Sequence, residues 1–236
     1  MNITMRPMTL EEVWNFMKKR HWSYHNHLKK FGYRYNSFVP NNPAIHEMFD
    51  KENISNQDEQ KYKDVMSKLY NAEKLQRLDN MFEKDVKPMF EHVINEILIP
   101  LLPSWNSKLP ESLEILCTYG EGGSYSIPEK DKAKIIFRMS RFPEDKDKFF
   151  GLIFHEFVHI LIELPIIKKY NVPQDLKERI VDLICYDFCR KPVQKMFEKS
   201  FANAYITPET IKTNLPGTVE KMMADYNKLK QQEKSR

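Results

Sequence analysis

Glycine is scarce in this chain, with 6 residues in 236, and that scarcity argues against an all-β barrel. The 14 prolines are too few for a collagen-like repeat. Hydrophobic residues make up 41% of the chain and aromatic residues 12%, enough for a closed core with a buried site. This balance excludes disorder as the main state and favours a helix-rich globular protein.

Cysteine is also rare, and the 3 cysteines cannot all pair with one another. The first nine residues hold Arg6 and Pro7 but no apolar run that would serve as a signal peptide. We therefore expect a reducing cytoplasmic compartment.

A strong excess of basic or of acidic residues is missing as well. The chain has 37 basic and 33 acidic residues, giving a net charge of +4, and the two signs are interleaved along the sequence. Long basic blocks would indicate a nucleic-acid surface, so this pattern predicts no nucleic-acid partner.

One apolar stretch, residues 149–167, has the length of a membrane span. Each ionised carboxylate at the centre of a bilayer would cost roughly 2.5 kcal/mol or more. A stripe of polar residues therefore favours a buried central helix and no membrane insertion. These residues are His155, Glu156, His159 and Glu163, and the stretch also contains Pro165.

The N-terminal region, 1–105, reads as helical. Thr9 and Glu12 form a capping-box pattern that predicts a helix to about Lys30, and residues 31–56 read as an irregular connection. Apolar residues at helical spacing over 61–99 predict one long helix or two, ending near Pro100 and Pro103.

After Trp105 the pattern changes. Residues 113–119 and 134–139 are short, aromatic and branched, and they predict strands. A helix opened by Pro143, Glu144 and Asp145 is then expected to carry residues 151–163, where Pro165 ends or kinks it, and another helix is expected from Pro173 to about residue 190. The fold class expected is α+β: the helical region 1–105, a catalytic unit over 106–206 with a small sheet, and a C-terminal helix and polar tail over 207–236.

The segment His155-Glu-Phe-Val-His159 carries the most informative chemistry. Histidines four residues apart lie on one face of a helix, about 6 Å apart along its axis, which suits two imidazoles binding one metal ion. Glu156 is about 100° around the helix from His155, where it can face a metal-bound water without being a ligand. This spacing is typical of metal-assisted hydrolysis.

A catalytic zinc site usually has a third protein ligand. No histidine follows His159, which excludes every arrangement with a third histidine downstream. Glu163 is about 12 Å along the axis from His155 and is expected to be a solvated or structural acid. An antiparallel helix pair would instead return Glu178 to the metal, with Asp182 one turn later to accept the free N–H of a ligand histidine.

These residues resemble the gluzincin zinc metallopeptidases, which include thermolysin-like and related aminopeptidase enzymes. His-Glu-x-x-His, 18 intervening residues and Glu178-Arg-Ile-Val-Asp182 are similar to that family's motif, although Lys177 stands where the family usually has asparagine. The resemblance implies a zincin-like unit that binds one Zn²⁺ per chain through His155, His159 and Glu178. It also implies that Glu156 is the general base and that Asp182 supports a ligand.

Other ligand sets stay open at this point. Cys117 is a rival third ligand, as deformylases combine a cysteine with His-Glu-x-x-His, but a buried strand thiol is the default expectation. Cys185 and Cys189 are expected to be core thiols. A second metal site at His21, His25 and His27 is weighed against an aromatic, basic helix face that packs on the catalytic half, and we favour the packing face.

The glycine-rich segment 120–125 is expected to form a tight turn between strands. In zincins an edge strand before the active-site helix pairs with an extended peptide, so Glu121, Gly122 and Gly123 are also candidate substrate-strand residues. By the same analogy Glu121 is a candidate anchor for a substrate amine.

The predicted activity is hydrolysis of peptide bonds in a peptide or protein substrate. Glu156 would take the proton of a zinc-bound water, and Tyr205 or Tyr125 would donate a hydrogen bond to the oxyanion. The alternative is a zincin-like regulatory or interaction domain that binds metal without turnover. Glu156 favours the enzyme, because a binding module needs no general base.

Overall fold

Seven stretches of the chain are described by the computed structural model: residues 1–31, 42–69, 72–119, 123–129, 131–139, 145–189 and 200–234. In these stretches the protein is helix-rich with a small mixed four-stranded sheet, as expected for an α+β protein. The strands are β1 (Asn2–Pro7), β2 (Ser112–Tyr119), β3 (Gly123–Glu129) and β4 (Lys132–Met139).

The helices are α1 (Leu10–Asn26), α2 (Pro43–Asp50), α3 (Asn56–Leu69), α4 (Ala72–Met81), α5 (Lys87–Val93), α6 (Ile99–Leu101), α7 (Lys146–Ile162), α8 (Gln174–Cys189), α9 (Pro208–Thr213) and α10 (Leu215–Lys234). Two π-helical segments, Phe82–Val86 and Ile94–Leu98, join α4, α5 and α6 into one long helix. A third, Glu163–Lys168, extends α7. Short 3₁₀ turns cover Leu28–Phe31, Leu102–Trp105 and Phe201–Ala204.

Proline accompanies each π segment. Pro88 and Pro100 each lie two residues after the end of a π segment, and Pro165 lies inside the third. Proline has no N–H to donate and its ring crowds the preceding turn, and a wider turn relieves both problems. Of the two expectations for Pro165, an end of the helix is wrong, because the helix continues past it. Pro165 instead lies in a π-helical distortion of the helix.

Helix starts follow the sequence signals closely. The Thr9 side chain accepts from the Glu12 backbone N–H, and the Glu12 carboxylate accepts from the Thr9 N–H, which confirms the predicted capping box. Asp145 caps α7 by accepting from the N–H of Asp147 at 2.8 Å.

The sheet order is β1-β2-β4-β3, with β1, β2 and β4 parallel and β3 antiparallel at the edge beside β4. Strands β2 and β4 confirm the strands predicted over 113–119 and 134–139. Strand β1 pairs with β2 along its whole length, from Asn2 opposite Ser112 to Pro7 opposite Cys117. The N-terminal region expected to be helical thus begins with a strand, and the regions 1–105 and 106–206 share one sheet. The irregular connection predicted over 31–56 is wrong where α2 lies.

Strand β3 was not predicted, because Gly123 and Pro128 interrupt its sequence. An edge strand tolerates both residues, since one side of its backbone is not needed for the ladder. The connection over 120–122, where the tight turn was expected, lies outside the described residues.

The two faces of the sheet pack on different cores. One face carries Ile3, Ile115 and Ile135 and packs with α7 in the larger core. On the other face, Leu116 joins a second core that includes Trp14 of α1. Alternation along β2 and β4 sends successive side chains to opposite faces, which explains how one short sheet serves both cores.

Helix α7 is the central element of the larger core. Four phenylalanines meet there: the Phe90 ring lies 5.9, 6.0 and 5.1 Å from the rings of Phe150, Phe154 and Phe157. Residues Lys146–Lys168 have the length and the apolar composition of a membrane-spanning helix. However, 67% of the apolar 18-residue window in this segment is buried inside the protein. The structure therefore accounts for this hydrophobic run as a core helix.

Phe90 supplies the first prediction, because it is fully buried against three residues of α7. Phe90→Ala should lower the free energy of unfolding by about 3–5 kcal/mol, since it removes apolar contacts and leaves a cavity. Urea denaturation followed by circular dichroism measures this change. Leu229→Ala is the control, because Leu229 is 47% exposed and its loss should change stability by about 0.5 kcal/mol or less. Equal effects of the two substitutions would contradict the assignment of this core.

Candidate metal centre

Two histidines of α7 and one glutamate of α8 bring their side-chain tips together. The Nε2 atoms of His155 and His159 are 3.1 Å apart. Glu178 Oε2 lies 3.4 Å from the first and 3.3 Å from the second. The structure thus places all three predicted ligands in one cluster.

The donor set fits a zinc ion. With ligands about 2.0–2.1 Å from the metal, tetrahedral geometry separates neighbouring ligand atoms by about 3.3 Å, close to the three distances found here. Two Nε2 atoms at 3.1 Å also need a proton or a cation between them, because two imidazole lone pairs repel. The cluster therefore has both the spacing and the chemistry of a three-ligand site with one open position.

The link between α7 and α8 explains why the cluster forms. After the π segment the chain reverses at Asn171, whose φ is 51°, and Pro173 then precedes α8. The two helices run antiparallel, so that Glu178 faces His159 while Asp182, one turn later, faces His155. The 18-residue spacing is the length of chain that this reversal needs.

Asp182 lies behind the cluster. Its Oδ1 is 3.5 Å from Nδ1 of His155, on the side of the ring away from the ligand atoms. A carboxylate that accepts the Nδ1 proton leaves Nε2 as the metal-binding atom. Asp182 lies on the side of His155 that this role requires, and the role itself stays a prediction.

Carboxylates set the electrostatics of the cluster. Burial acts to lower the pKa of His155, but the nearby carboxylates of Glu178, Glu156 and Asp182 outweigh it and raise that pKa. Burial acts to raise the pKa of Glu178, but hydrogen bonds from both histidines hold it well below its ordinary value. The centre therefore favours bound positive charge.

The Glu156 carboxylate lies against the edge strand β3. A Cβ atom added to Gly123 would collide with Glu156 Oε1, so the carboxylate lies directly against the Gly123 backbone. Burial raises the pKa of Glu156, while the charges of His159 and His155 act to lower it. Glu156 is thus close to the two histidines without being one of the three clustered residues, and glycine at 123 leaves room for it.

Arg138, which sequence reasoning missed, supports this strand edge. Its guanidinium donates to the carbonyl oxygen of Gly123 at 2.8 Å and lies 5.7 Å from the Phe16 ring. Burial lowers the pKa of Arg138 to about 10. The sequence offered one signal for Arg138, which is an arginine between apolar residues of the predicted strand. A buried arginine requires specific partners.

Tyr125 is the oxyanion-donor candidate that lies at the cluster. Its ring stacks on His159 with 5.0 Å between centroids and 8° between planes. Its hydroxyl donates to Glu163 Oε2 at 2.7 Å and accepts from Lys177 Nζ at 3.2 Å. Burial, followed by the Glu163 contact, raises the pKa of Tyr125.

The structure places Tyr205 elsewhere. Its hydroxyl donates to Asp225 Oδ2 of α10 at 3.0 Å, and its ring packs against Phe201. Among the described residues no recorded contact joins Tyr205 to the ligand cluster. Glu121 and Gly122 lie outside the described residues, whereas Gly123 begins β3.

The rival ligands are accounted for in other ways. Cys117 lies in β2 with 1% exposure, and burial raises the pKa of its thiol to about 12, which disfavours the thiolate that binds metal. The Cys185 side chain is half-buried against the larger core, and the Cys189 side chain is outside the described residues.

The histidines of α1 bind backbone instead of metal. His21 and His25 direct their Nε2 atoms to the carbonyl oxygens of Lys51 and Phe49, at 2.7 and 2.8 Å. Both carbonyls lie at the C-terminal end of α2, where they have no partner inside the helix. His27 is exposed. The favoured interpretation of this face as a packing surface agrees with these contacts, but the two histidines pack on α2 and not, as expected, on the region 106–206.

Comparison of the chain with family models, curated proteins and solved structures found no match.

The second prediction concerns metal binding. Purified protein should hold about one zinc per chain, as the three-ligand set requires. Asp182→Ala should weaken zinc affinity roughly 10-fold to 100-fold without unfolding the protein, because the His155 ring loses the acceptor that orients it. Competition with a chromogenic chelator measures the affinity.

Two controls sharpen this measurement. Asp175→Ala removes an exposed aspartate from the first turn of α8 and should leave zinc affinity unchanged. A His155→Ala, His159→Ala double variant should lose the zinc. Unchanged zinc in the double variant would mean that the metal binds elsewhere.

Proposed function

We propose that the protein is a zinc-dependent peptidase of the gluzincin type. The observation that carries the proposal is the cluster of His155, His159 and Glu178, with Glu156 held beside it against the edge of β3. Three of these residues are close enough to bind one ion, and Glu156 lies beside them without belonging to the cluster, as a general base requires.

Each residue has a defined task in the proposed reaction. A bound zinc ion would supply Lewis acidity towards the scissile carbonyl and a lowered pKa for water. Glu156 accepts a proton from the attacking water and passes it to the leaving amine. The burial that raises the pKa of Glu156 strengthens it as a base relative to an exposed glutamate. Asp182 holds the His155 ring with Nε2 facing the cluster.

Strand β3 supplies the proposed binding edge for the substrate. One side of β3 pairs with β4, and in the described part of the chain the other side has no strand partner. An extended peptide can add to such an edge through main-chain hydrogen bonds, which read no particular side chain. Gly123 would then bring the peptide backbone close to Glu156.

The alternative is metal binding without turnover, as in a regulatory or interaction domain. Under that alternative the position of Glu156 has no purpose, because a buried carboxylate with a raised pKa costs stability. A zinc-loaded protein without activity would favour it.

The third prediction separates these two functions. Glu156→Gln should keep the fold and the zinc, because Glu156 is not a ligand, but it removes the proton acceptor. Loss of a general base typically lowers the rate by on the order of 10²-fold to 10⁴-fold, equivalent to about 3–5 kcal/mol of transition-state stabilisation. Cleavage of a diverse peptide mixture, followed by mass spectrometry, measures the loss.

Chelation is the control for this experiment, because it should abolish cleavage by the wild-type protein. Equal cleavage by wild type and Glu156→Gln would assign the activity to a contaminant or another site. If neither protein cleaved any peptide while both held zinc, binding without turnover would become the better account.

The fourth prediction uses the glycine that faces Glu156. In Gly123→Ala the new methyl group would collide with the carboxylate, whose flexible end can move aside. The fold and the zinc should survive, but displacing the base by about 1 Å can lower turnover by on the order of 10²-fold. Ser124→Ala is the matched control, because neighbouring side chains of a strand point to opposite faces. Unchanged turnover in Gly123→Ala would show that the packing of Glu156 on β3 is irrelevant to catalysis.

A further inference from the structure

Three side chains from three elements meet at one end of the metal centre. The Tyr125 hydroxyl of β3 donates to Glu163, at the end of α7, at 2.7 Å. The Lys177 ammonium of α8 donates to the same hydroxyl at 3.2 Å and lies 3.8 Å from Glu163 Oε2. We call the contact of Tyr125, Glu163 and Lys177 the cross-cleft bridge, because it joins β3 to α8 at the end of α7.

The cross-cleft bridge adjoins the ligand cluster. The Tyr125 ring stacks on the ligand His159, and Lys177 is next in sequence to the ligand Glu178. A substrate lying between β3 and α8 therefore meets the bridge directly beside the ligand atoms.

The bridge contains a buried pair of opposite charges, and this makes it costly to separate. The side chains of Lys177 and Glu163 are only 12% and 11% exposed. Separating a buried pair leaves an uncompensated charge, which is strongly unfavourable. The bridge is therefore unlike a surface ion pair, which forms and breaks at little cost.

The bridge limits how far a substrate can extend along β3. Gly123 lies against Glu156, and Tyr125 is two residues further along the same face of the strand. At about 3.3 Å per residue, the two positions are about 7 Å apart. An extended peptide paired with β3 has room for about two residues on this side.

At the end of the metal centre opposite the bridge, two of the described residues have exposed side chains. Leu152, one turn before Glu156 on α7, is 40% exposed, and Tyr186, one turn after Asp182 on α8, is 51% exposed. The described part of the chain thus shows a closed end at the bridge and apolar, solvent-exposed side chains at the opposite end.

Building on the proposed peptidase function, we infer that the substrate is a peptide with a free end, cleaved within about two residues of that end. The cross-cleft bridge is the residue set that imposes this limit. Long internal segments are excluded because they would have to pass through the contact of Tyr125, Glu163 and Lys177.

The test compares a linear ten-residue peptide with the head-to-tail cyclic peptide of the same sequence. Zinc-loaded wild type should cut the linear peptide at its terminal one or two bonds and leave the cyclic peptide intact. Mass spectrometry locates the cuts. Linear peptides capped by acetylation or by amidation identify which end enters the closed side.

A binding measurement gives an independent readout. Glu156→Gln, titrated with each peptide in a calorimeter, should bind the linear form at least about tenfold more tightly than the cyclic form. Equal affinities would overturn the inference even if the turnover experiment were unclear.

Tyr125→Ala should open the closed end. Glu163 and Lys177 can still pair in this variant, so no buried charge is left uncompensated. Cuts should then appear at internal bonds of the linear peptide and in the cyclic peptide, whatever the overall rate. Tyr186→Ala is the matched control and should retain the wild-type cutting positions.

The outcomes distinguish the two proposals. Internal cuts in the cyclic peptide by wild type would overturn the limit set by the bridge and leave the peptidase function in place. If zinc-loaded wild type cut neither peptide and Glu156→Gln bound neither, both proposals would fall. Terminal cuts by Tyr125→Ala identical to those of wild type would show that the bridge does not set the limit.

Discussion

The contact of His155 and His159 with Glu178 is the interaction on which the arrangement of this protein depends. It places polar groups on the most apolar helix of the chain, where each must have a partner. That requirement fixes the antiparallel approach of α8 and brings Asp182 to the second ring nitrogen of His155. The buried aromatic residues of α7 hold the same helix in place from its other side.

The sheet supplies the second half of the site. Edge strand β3 brings Gly123 to Glu156 and Tyr125 to His159, two residues apart on one face. Arg138 of the neighbouring strand holds the Gly123 carbonyl, and its guanidinium also reaches the Phe16 ring of α1. Since β1 and α1 build on the same sheet, the N-terminal region contributes to the geometry of the site.

The relative positions of the site residues on helices could be predicted, whereas on strand β3 only Gly123 and Tyr125 could be named as candidates and their contacts could not be predicted. His155, Glu156 and His159 follow from helical periodicity alone, and the spacing to Glu178 follows from one chain reversal. Pairing of strands depends on contacts remote in sequence, such as Asn2 with Ser112, which local patterns do not encode. For that reason the stacking of Tyr125 on His159 could not be predicted. Strand β3 itself could not be predicted, because Gly123 and Pro128 interrupt the strand pattern.

Lys177, the residue that departs from the motif of the proposed gluzincin resemblance, has a physical explanation in this chain. That motif usually has asparagine at this position, whereas the ammonium of Lys177 lies 3.8 Å from the carboxylate of the buried Glu163. An amide at 177 could hydrogen-bond to Tyr125, but it could not neutralise that carboxylate, whose burial as an unpaired charge would be costly. Glu163 also accepts from the Tyr125 hydroxyl, so the phenol adds a hydrogen bond to an ion pair that does not depend on it. Loss of Glu163 or Lys177 would leave a buried charge without its partner, whereas loss of Tyr125 would leave the ion pair in place.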